Sequence, residues 1–105
     1  MIELNDTTFS QPVNGNNASI VTFTSPNCSG CKGVKQLLEH FESTHPIPVY
    51  LVDVEDSPRL AMRHHVRSLP TTVLFDMGVE LDRIVGTFNS NRLENWLNLI
   101  HGETP

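Results

Sequence analysis

Cys28 and Cys31 are the only two thiols in the chain, and they sit three residues apart as Cys28-Ser29-Gly30-Cys31. Side chains at i and i+3 on the first turn of a helix share a face, so this spacing lets the two sulfurs close a short disulfide ring. A helix N-terminus also presents unpaired N–H groups and the positive end of its dipole, which favour a thiolate over a thiol. Lys32 adds a cation close by. Cys28, at the helix tip, is therefore the expected nucleophile. Cys31, one turn further in, is the expected resolving thiol, which attacks the mixed disulfide and frees the reduced substrate. The spacing alone leaves three other readings open. A structural zinc site needs a second ligand pair, and His40, His45, His64, His65 and His101 show no companion spacing. A structural disulfide and two inert core cysteines are the others. Dithiol redox chemistry is the favoured reading.

The neighbouring segments are those needed to hold such a pair in place. Ser19-Ile20-Val21-Thr22-Phe23-Thr24 is short, apolar and rich in β-branched residues, as in a buried strand. Ser25-Pro26-Asn27 breaks it. From Cys28 to about Ser43 the pattern is helical, with Val34, Leu37, Leu38 and Phe41 along one face. Pro46 and Pro48 precede a second strand, Val49 to Val54, and Ser57-Pro58 opens a short helix running to about His65. Thr71 to Phe75, a turn at Asp76-Met77-Gly78 and a strand from about Glu80 to Val85 form a hairpin. Asn89 to Asn91 cap a last helix carrying Leu93, Trp96, Leu97 and Ile100, with Glu94 placed to complete a capping box from Asn91. Ahead of a turn at Asn14-Gly15-Asn16-Asn17 lie a possible edge strand at Ile2 to Asn5 and one helical turn after Asp6. The order β-α-β-α-β-α-β-β-α predicts an α/β fold: a central mixed sheet of four to five strands with helices on both faces, in a single domain over residues 1–105.

Composition narrows the function classes. The 105 residues are 38% hydrophobic and 18% charged, which is a globular balance. The formal charge of −5, with seven Lys and Arg, gives no footprint for nucleic acid or anionic lipid. No apolar run approaches a membrane span, and the N-terminal residues Met1 to Asp6 lack the pattern of a secretory signal. A reducing cytoplasm is the expected compartment, where two cysteines point to catalysis or metal more often than to a structural staple. His64-His65 is read as a surface cap on its helix, where a cation suits the dipole, with a proton relay as the alternative, and Trp96 as core in preference to a substrate contact.

Four features belong together: the strand–CxxC–helix junction with Lys32 after it, Val66-Arg67-Ser68-Leu69-Pro70-Thr71, the strand Thr72 to Phe75 with Gly78, and Val85-Gly86. Through them the chain resembles the thioredoxin family over nearly its whole length. The resemblance implies the thioredoxin fold and a protein-disulfide oxidoreductase, expected as a monomer. Its partners would be protein disulfide substrates and a thioredoxin-reductase-like partner, and it would need no cofactor and no metal. It also implies that Leu69–Pro70 is a cis bond beside the cysteines. The Leu69 backbone would then pair with an extended substrate segment, and Gly86 would leave room for that segment. Asn27 and Ser29 would join Leu69, Pro70 and Gly86 as substrate contacts.

The chain departs from the family pattern at several positions. Asn27 replaces the usual aromatic residue before the first cysteine, and Ser29-Gly30 replaces Gly-Pro. Thr22 stands where a buried acid is common and Leu51 where its Lys partner is, while Gln36 replaces a helix-kinking proline. These changes leave the dithiol intact but predict a less reducing pair. A thioredoxin-like scaffold whose partner binding needs no redox turnover is the alternative function.

Overall fold

The computed structural model describes residues 1–15 and 17–101, so Asn16 of the expected Asn14–Asn17 turn lies outside the described residues. Nine elements follow one another in the predicted order: β1 (Ile2–Leu4), α1 (Ser10–Val13), β2 (Ala18–Thr24), α2 (Cys31–Thr44), β3 (Val49–Asp53), α3 (Pro58–Arg63), β4 (Thr71–Asp76), β5 (Val79–Val85) and α4 (Ser90–His101). The five strands form one sheet in the order β1-β3-β2-β4-β5. β1 and β2 run parallel to β3, whereas β4 is antiparallel to both β2 and β5. The parallel pairs need helical crossovers, and the β4–β5 pair closes through the two-residue turn Met77-Gly78.

Alternation along the central strands divides the core into two layers. Ile20 and Leu74 point to one side, where Val34, Leu38 and Phe41 of α2 meet Leu93 and Trp96 of α4. Val21, Phe23, Val73 and Phe75 point to the other, against Phe9, Val13 of α1 and Leu60 of α3. Both faces of the sheet are thus covered, as the sequence predicts. Trp96 is fully buried, and its indole N–H donates to Asp82 Oδ2 at 2.8 Å, so the ring's one polar group is satisfied and α4 is tied to β5. The cap of α4 falls within the expected Asn89–Asn91 run, but at its first residue and not at Asn91, from which the capping box was expected. Asn89 Oδ1 accepts from the Asn91 N–H at 3.1 Å, so Asn89 is the cap and Asn91 already lies within the first turn.

The end of α3 also differs. The helix stops at Arg63, and the Val66 N–H donates to the Ala61 carbonyl while the His65 N–H donates to that of Met62. This is the reciprocal closure of a Schellman motif, with His65 in the left-handed position at φ 56° that glycine usually takes. The closure turns the His64 ring inward. It packs 5.1 Å from the Phe9 ring, 5.5 Å from Phe75 and 5.9 Å from Phe23, and Nε2 is buried with no hydrogen-bond partner among the described residues. Burial, and then the charge of Arg63, hold its pKa below the ordinary imidazole value; Arg83 and His65 add to this, and Glu80 opposes it. His64 is therefore a half-buried imidazole, packed among aromatic rings, whose neutral form is favoured, which corrects its reading as a surface cation.

The pH dependence of stability follows from that depression. The unfolded chain takes up a proton at His64 near pH 6.5, before the folded chain does. Stability is fully present above that pH and falls as pH drops through the window down to the lowered folded value. Urea unfolding at stepped pH is expected to show this loss in the wild type and a smaller one in His64→Phe. An equal loss in both would contradict the half-buried neutral imidazole.

Candidate active site

β2 is buried along almost its whole length and ends at Thr24, and the chain then turns outward through Ser25-Pro26-Asn27. The Cys28 N–H donates to the Ser25 carbonyl at 3.3 Å, and the Cys31 N–H to the Cys28 carbonyl at 3.4 Å. α2 starts at Cys31 with Gly30 as its N-cap. The sequence places Cys28 inside the helix. It stands instead in the turn before it: its carbonyl accepts from the Cys31 N–H three residues on, and the i+4 bonding of the helix starts at the Gly30 carbonyl, which accepts from the Val34 N–H. Cys31 is 2% exposed, whereas Cys28 is half-buried. The two sulfurs are joined in a disulfide with Cα atoms 5.4 Å apart. The first-turn N–H groups of α2 have no acceptor within the helix, and no acidic residue lies in that turn. The local field therefore favours a thiolate when the pair is reduced.

Three chain segments converge here. A Cβ on Gly30 would lie 2.9 Å from Thr87 Cγ2 and 3.4 Å from Pro70 Cδ, so the cysteine turn rests directly on both. The Leu69–Pro70 bond is cis, as the resemblance implies, and Pro70 is buried. The Thr71 hydroxyl donates to the Ser68 carbonyl at 2.6 Å, and the Gly86 N–H donates to the Pro70 carbonyl at 2.8 Å. Leu69 packs its side chain against the α1/α3 layer, and no other backbone group among the described residues engages its N–H or C=O. Asn27 and Ser29 are exposed on either side of Cys28. A Cβ on Gly86 would meet nothing within 4 Å, and the backbone there takes a φ of 91° that favours glycine. Thr87 was not legible as a site residue. Its position comes from the pairing of Thr71 with Val85, which brings the end of β5 alongside Pro70.

Beneath this surface, Thr22 lies between Leu51 on β3 and Thr72 on β4. Both threonine side chains are fully buried, and their hydroxyls share a hydrogen bond of 3.0 Å. Ile20, two residues earlier, packs in the α2/α4 layer, so Thr22 faces the α2 side of the sheet. A neutral hydroxyl pair thus occupies the place of the missing acid. Thr22→Val strands the Thr72 hydroxyl and is expected to cost about 1–3 kcal/mol in denaturant unfolding. Thr22→Val with Thr72→Val is expected to be nearly neutral. Additive losses in the double variant would contradict a paired role.

A dithiol–disulfide pair with one accessible sulfur and one buried sulfur, set against a cis-proline at the end of an α/β sheet, defines a thiol–disulfide oxidoreductase. The thioredoxin family profile matches residues 1–99. A thioredoxin from Pyropia yezoensis is 31% identical over 101 residues, covering 91% of this chain and 92% of its own. A bifunctional thioredoxin reductase/thioredoxin from Mycobacterium leprae is 35% identical over 88 residues, which are 81% of this chain and 19% of that protein. The structure of a thioredoxin from Fasciola hepatica superposes with a TM-score of 0.86 at 23% identity, over 95% of this chain and 99% of the other. The chain belongs to the thioredoxin family and is a thioredoxin-like protein-disulfide oxidoreductase.

Proposed function

We propose that this chain reduces protein disulfides as a monomer in a reducing cytoplasm, and that a thioredoxin-reductase-like partner recharges it. The observation that carries the reading is the asymmetry of the pair: Cys28 is half-buried at the surface and Cys31 is enclosed behind it. In the reduced state the Cys28 thiolate attacks one sulfur of a substrate disulfide. A Cys28–substrate bond forms and the first substrate thiolate leaves. The Cys31 thiolate then attacks Cys28 Sγ, which closes the Cys28–Cys31 disulfide and expels the second substrate thiolate. Two electrons have passed to the substrate, and the partner must return two. The unengaged backbone of Leu69 supports pairing with an extended substrate strand beside Pro70, with Gly86, Asn27 and Ser29 around it. The Mycobacterium leprae relative, whose name joins a reductase to a thioredoxin, supports a partner of that kind. Both cysteines belong to the redox pair, which leaves none for a structural disulfide and favours a reducing compartment.

Purified bacterial thioredoxin reductase with NADPH and insulin provides the test. NADPH consumption is expected to require this chain and to vanish in the Cys28→Ser/Cys31→Ser variant, with light scattering giving a mass near 11.8 kDa. Absence of turnover, with a partner still bound by the double-serine variant, would replace this reading with that of a scaffold.

A further inference from the structure

The Arg83 guanidinium, on the edge strand β5, joins two elements. Its Nε donates to Glu80 Oε2 and its Nη2 to Glu80 Oε1, both at 2.8 Å, as a bidentate pair. Nη2 also donates to the His64 carbonyl at 2.7 Å, and Nη1 to the His65 carbonyl at 3.5 Å. Residues three apart on a regular strand point to opposite faces. Here a bulge at Leu81, between the pairs Leu74–Asp82 and Phe75–Glu80, resets the alternation. Glu80 is opposite Phe75 and Arg83 opposite Val73, and both of those partners belong to the α1/α3 layer of the core. Glu80 and Arg83 therefore share the face that meets the end of α3.

The two carbonyls lie where the chain leaves α3 for the active site. From His65 it runs through Val66, Arg67, Ser68 and Leu69 to Pro70. Arg67 and Ser68 are exposed, and no N–H from Arg67 to Leu69 finds an acceptor among the described residues. This loop therefore has little of its own to hold its shape. Its far end is fixed from the same side as its near end, since the Gly86 N–H, just past β5, donates to the Pro70 carbonyl at 2.8 Å. A basic side chain on the last carbonyls of a helix is ordinarily a cap and nothing more. Here the same strand grips the loop at both ends, through Arg83 at His64 and His65 and through Gly86 at Pro70. Leu69, with its unengaged backbone, hangs between the two grips.

We infer that Arg83 is a positioning residue for disulfide exchange, bracing the Arg67–Pro70 loop so that the Leu69 backbone stands ready to pair with an extended substrate. The inference rests on the proposed pairing of substrate with Leu69. Arg83 makes no hydrogen bond to either cysteine, so its effect falls on recognition and not on the exchange step. Its planar fork serves a carboxylate and two carbonyls at once, which the point charge of a lysine does not reproduce. Glu80 aims the fork. A loop that holds its pairing form only about a tenth of the time weakens that pairing about tenfold.

Two disulfide-bonded peptides of one sequence test this. One carries N-methyl groups on the backbone amides beside its cysteines, so those amides cannot donate to Leu69. The rate of first exchange with the reduced chain is measured for the wild type and for Arg83→Met, which keeps a long apolar stem. N-methylation is expected to slow the wild type about three- to tenfold, the worth of one backbone hydrogen bond. Arg83→Met is expected to slow the unmethylated peptide by a similar factor and the methylated one by less than about twofold. The pH dependence of thiolate absorbance is expected to be the same in both proteins. Arg83→Lys serves if Arg83→Met does not fold, and is expected to lose the same selectivity because it lacks the fork. Equal slowing of both peptides in the variant, or slowing of neither, would overturn the role of Arg83. Equal rates for the two peptides in the wild type would instead overturn the Leu69 pairing on which that role rests.

Discussion

Cys28→Ser is expected to reduce insulin no faster than the chemical reductant alone, a loss of about 10²-fold or more, because it removes the only accessible thiol nucleophile. Cys31→Ser is expected to lose turnover to a similar extent, but for a different reason. Its Cys28 thiolate still attacks, and with no resolving thiol behind it the reaction stops after one equivalent. The two variants therefore differ in their first turnover. A fast stoichiometric burst of substrate thiol is expected from Cys31→Ser and none from Cys28→Ser. The difference in exposure, half-buried against 2%, underlies this assignment. Bursts of equal size from both variants would contradict it.

The pair is expected to be less reducing than the roughly −270 mV of a typical thioredoxin, with a Cys28 thiolate pKa below about 7. Two features of the site push in this direction. Gly30, at the position where the family commonly has proline, keeps an N–H at the start of α2, and a donor toward sulfur stabilises the thiolate. The buried pair Thr22–Thr72 is neutral, so among the described residues no carboxylate at that position beneath the site opposes ionisation. Each unit of thiolate pKa is worth about 1.4 kcal/mol, or roughly 30 mV for a two-electron couple when fully expressed. Thiolate absorbance against pH, together with a glutathione redox titration, measures both quantities. A pKa above about 7 with a potential at or below about −270 mV would contradict this account of the site. Thr22→Asp is the complementary variant, since it restores a buried negative charge and is expected to raise the Cys28 pKa.

What was legible in the sequence was local. The cysteine spacing, the apolar run of β2, the i, i+3, i+4 stripe of α2 and the Asp76–Gly78 turn each announce their structure within one short window. What was hidden depends on contacts across the sheet or on a choice among near-equivalent residues. Thr22 alone is an unremarkable strand residue, and only the β2–β4 register reveals Thr72 as its partner. Thr87 reaches Gly30 only because β5 ends beside Pro70. A His-His pair at a helix end suggests surface, and the inward turn of His64 depends on His65 taking a left-handed angle that a glycine would have signalled. The start of α2 and the cap of α4 shifted by a few residues for a related reason. Ser25 to Gly30, like Asn89 to Asn91, offers several polar residues able to end a turn, and backbone hydrogen bonds select among them.

The central claim is that Cys28 attacks and Cys31 resolves, and locating the trapped bond tests it most directly. Reduced Cys31→Ser is mixed with a disulfide-bonded peptide, quenched with acid, digested without reductant and mapped by mass spectrometry, with Cys28→Ser treated in parallel. The expected result is one peptide adduct, attached at Cys28, in the Cys31→Ser protein and almost none in the other. An adduct forming readily at Cys31 of the Cys28→Ser protein, with none at Cys28, would contradict it.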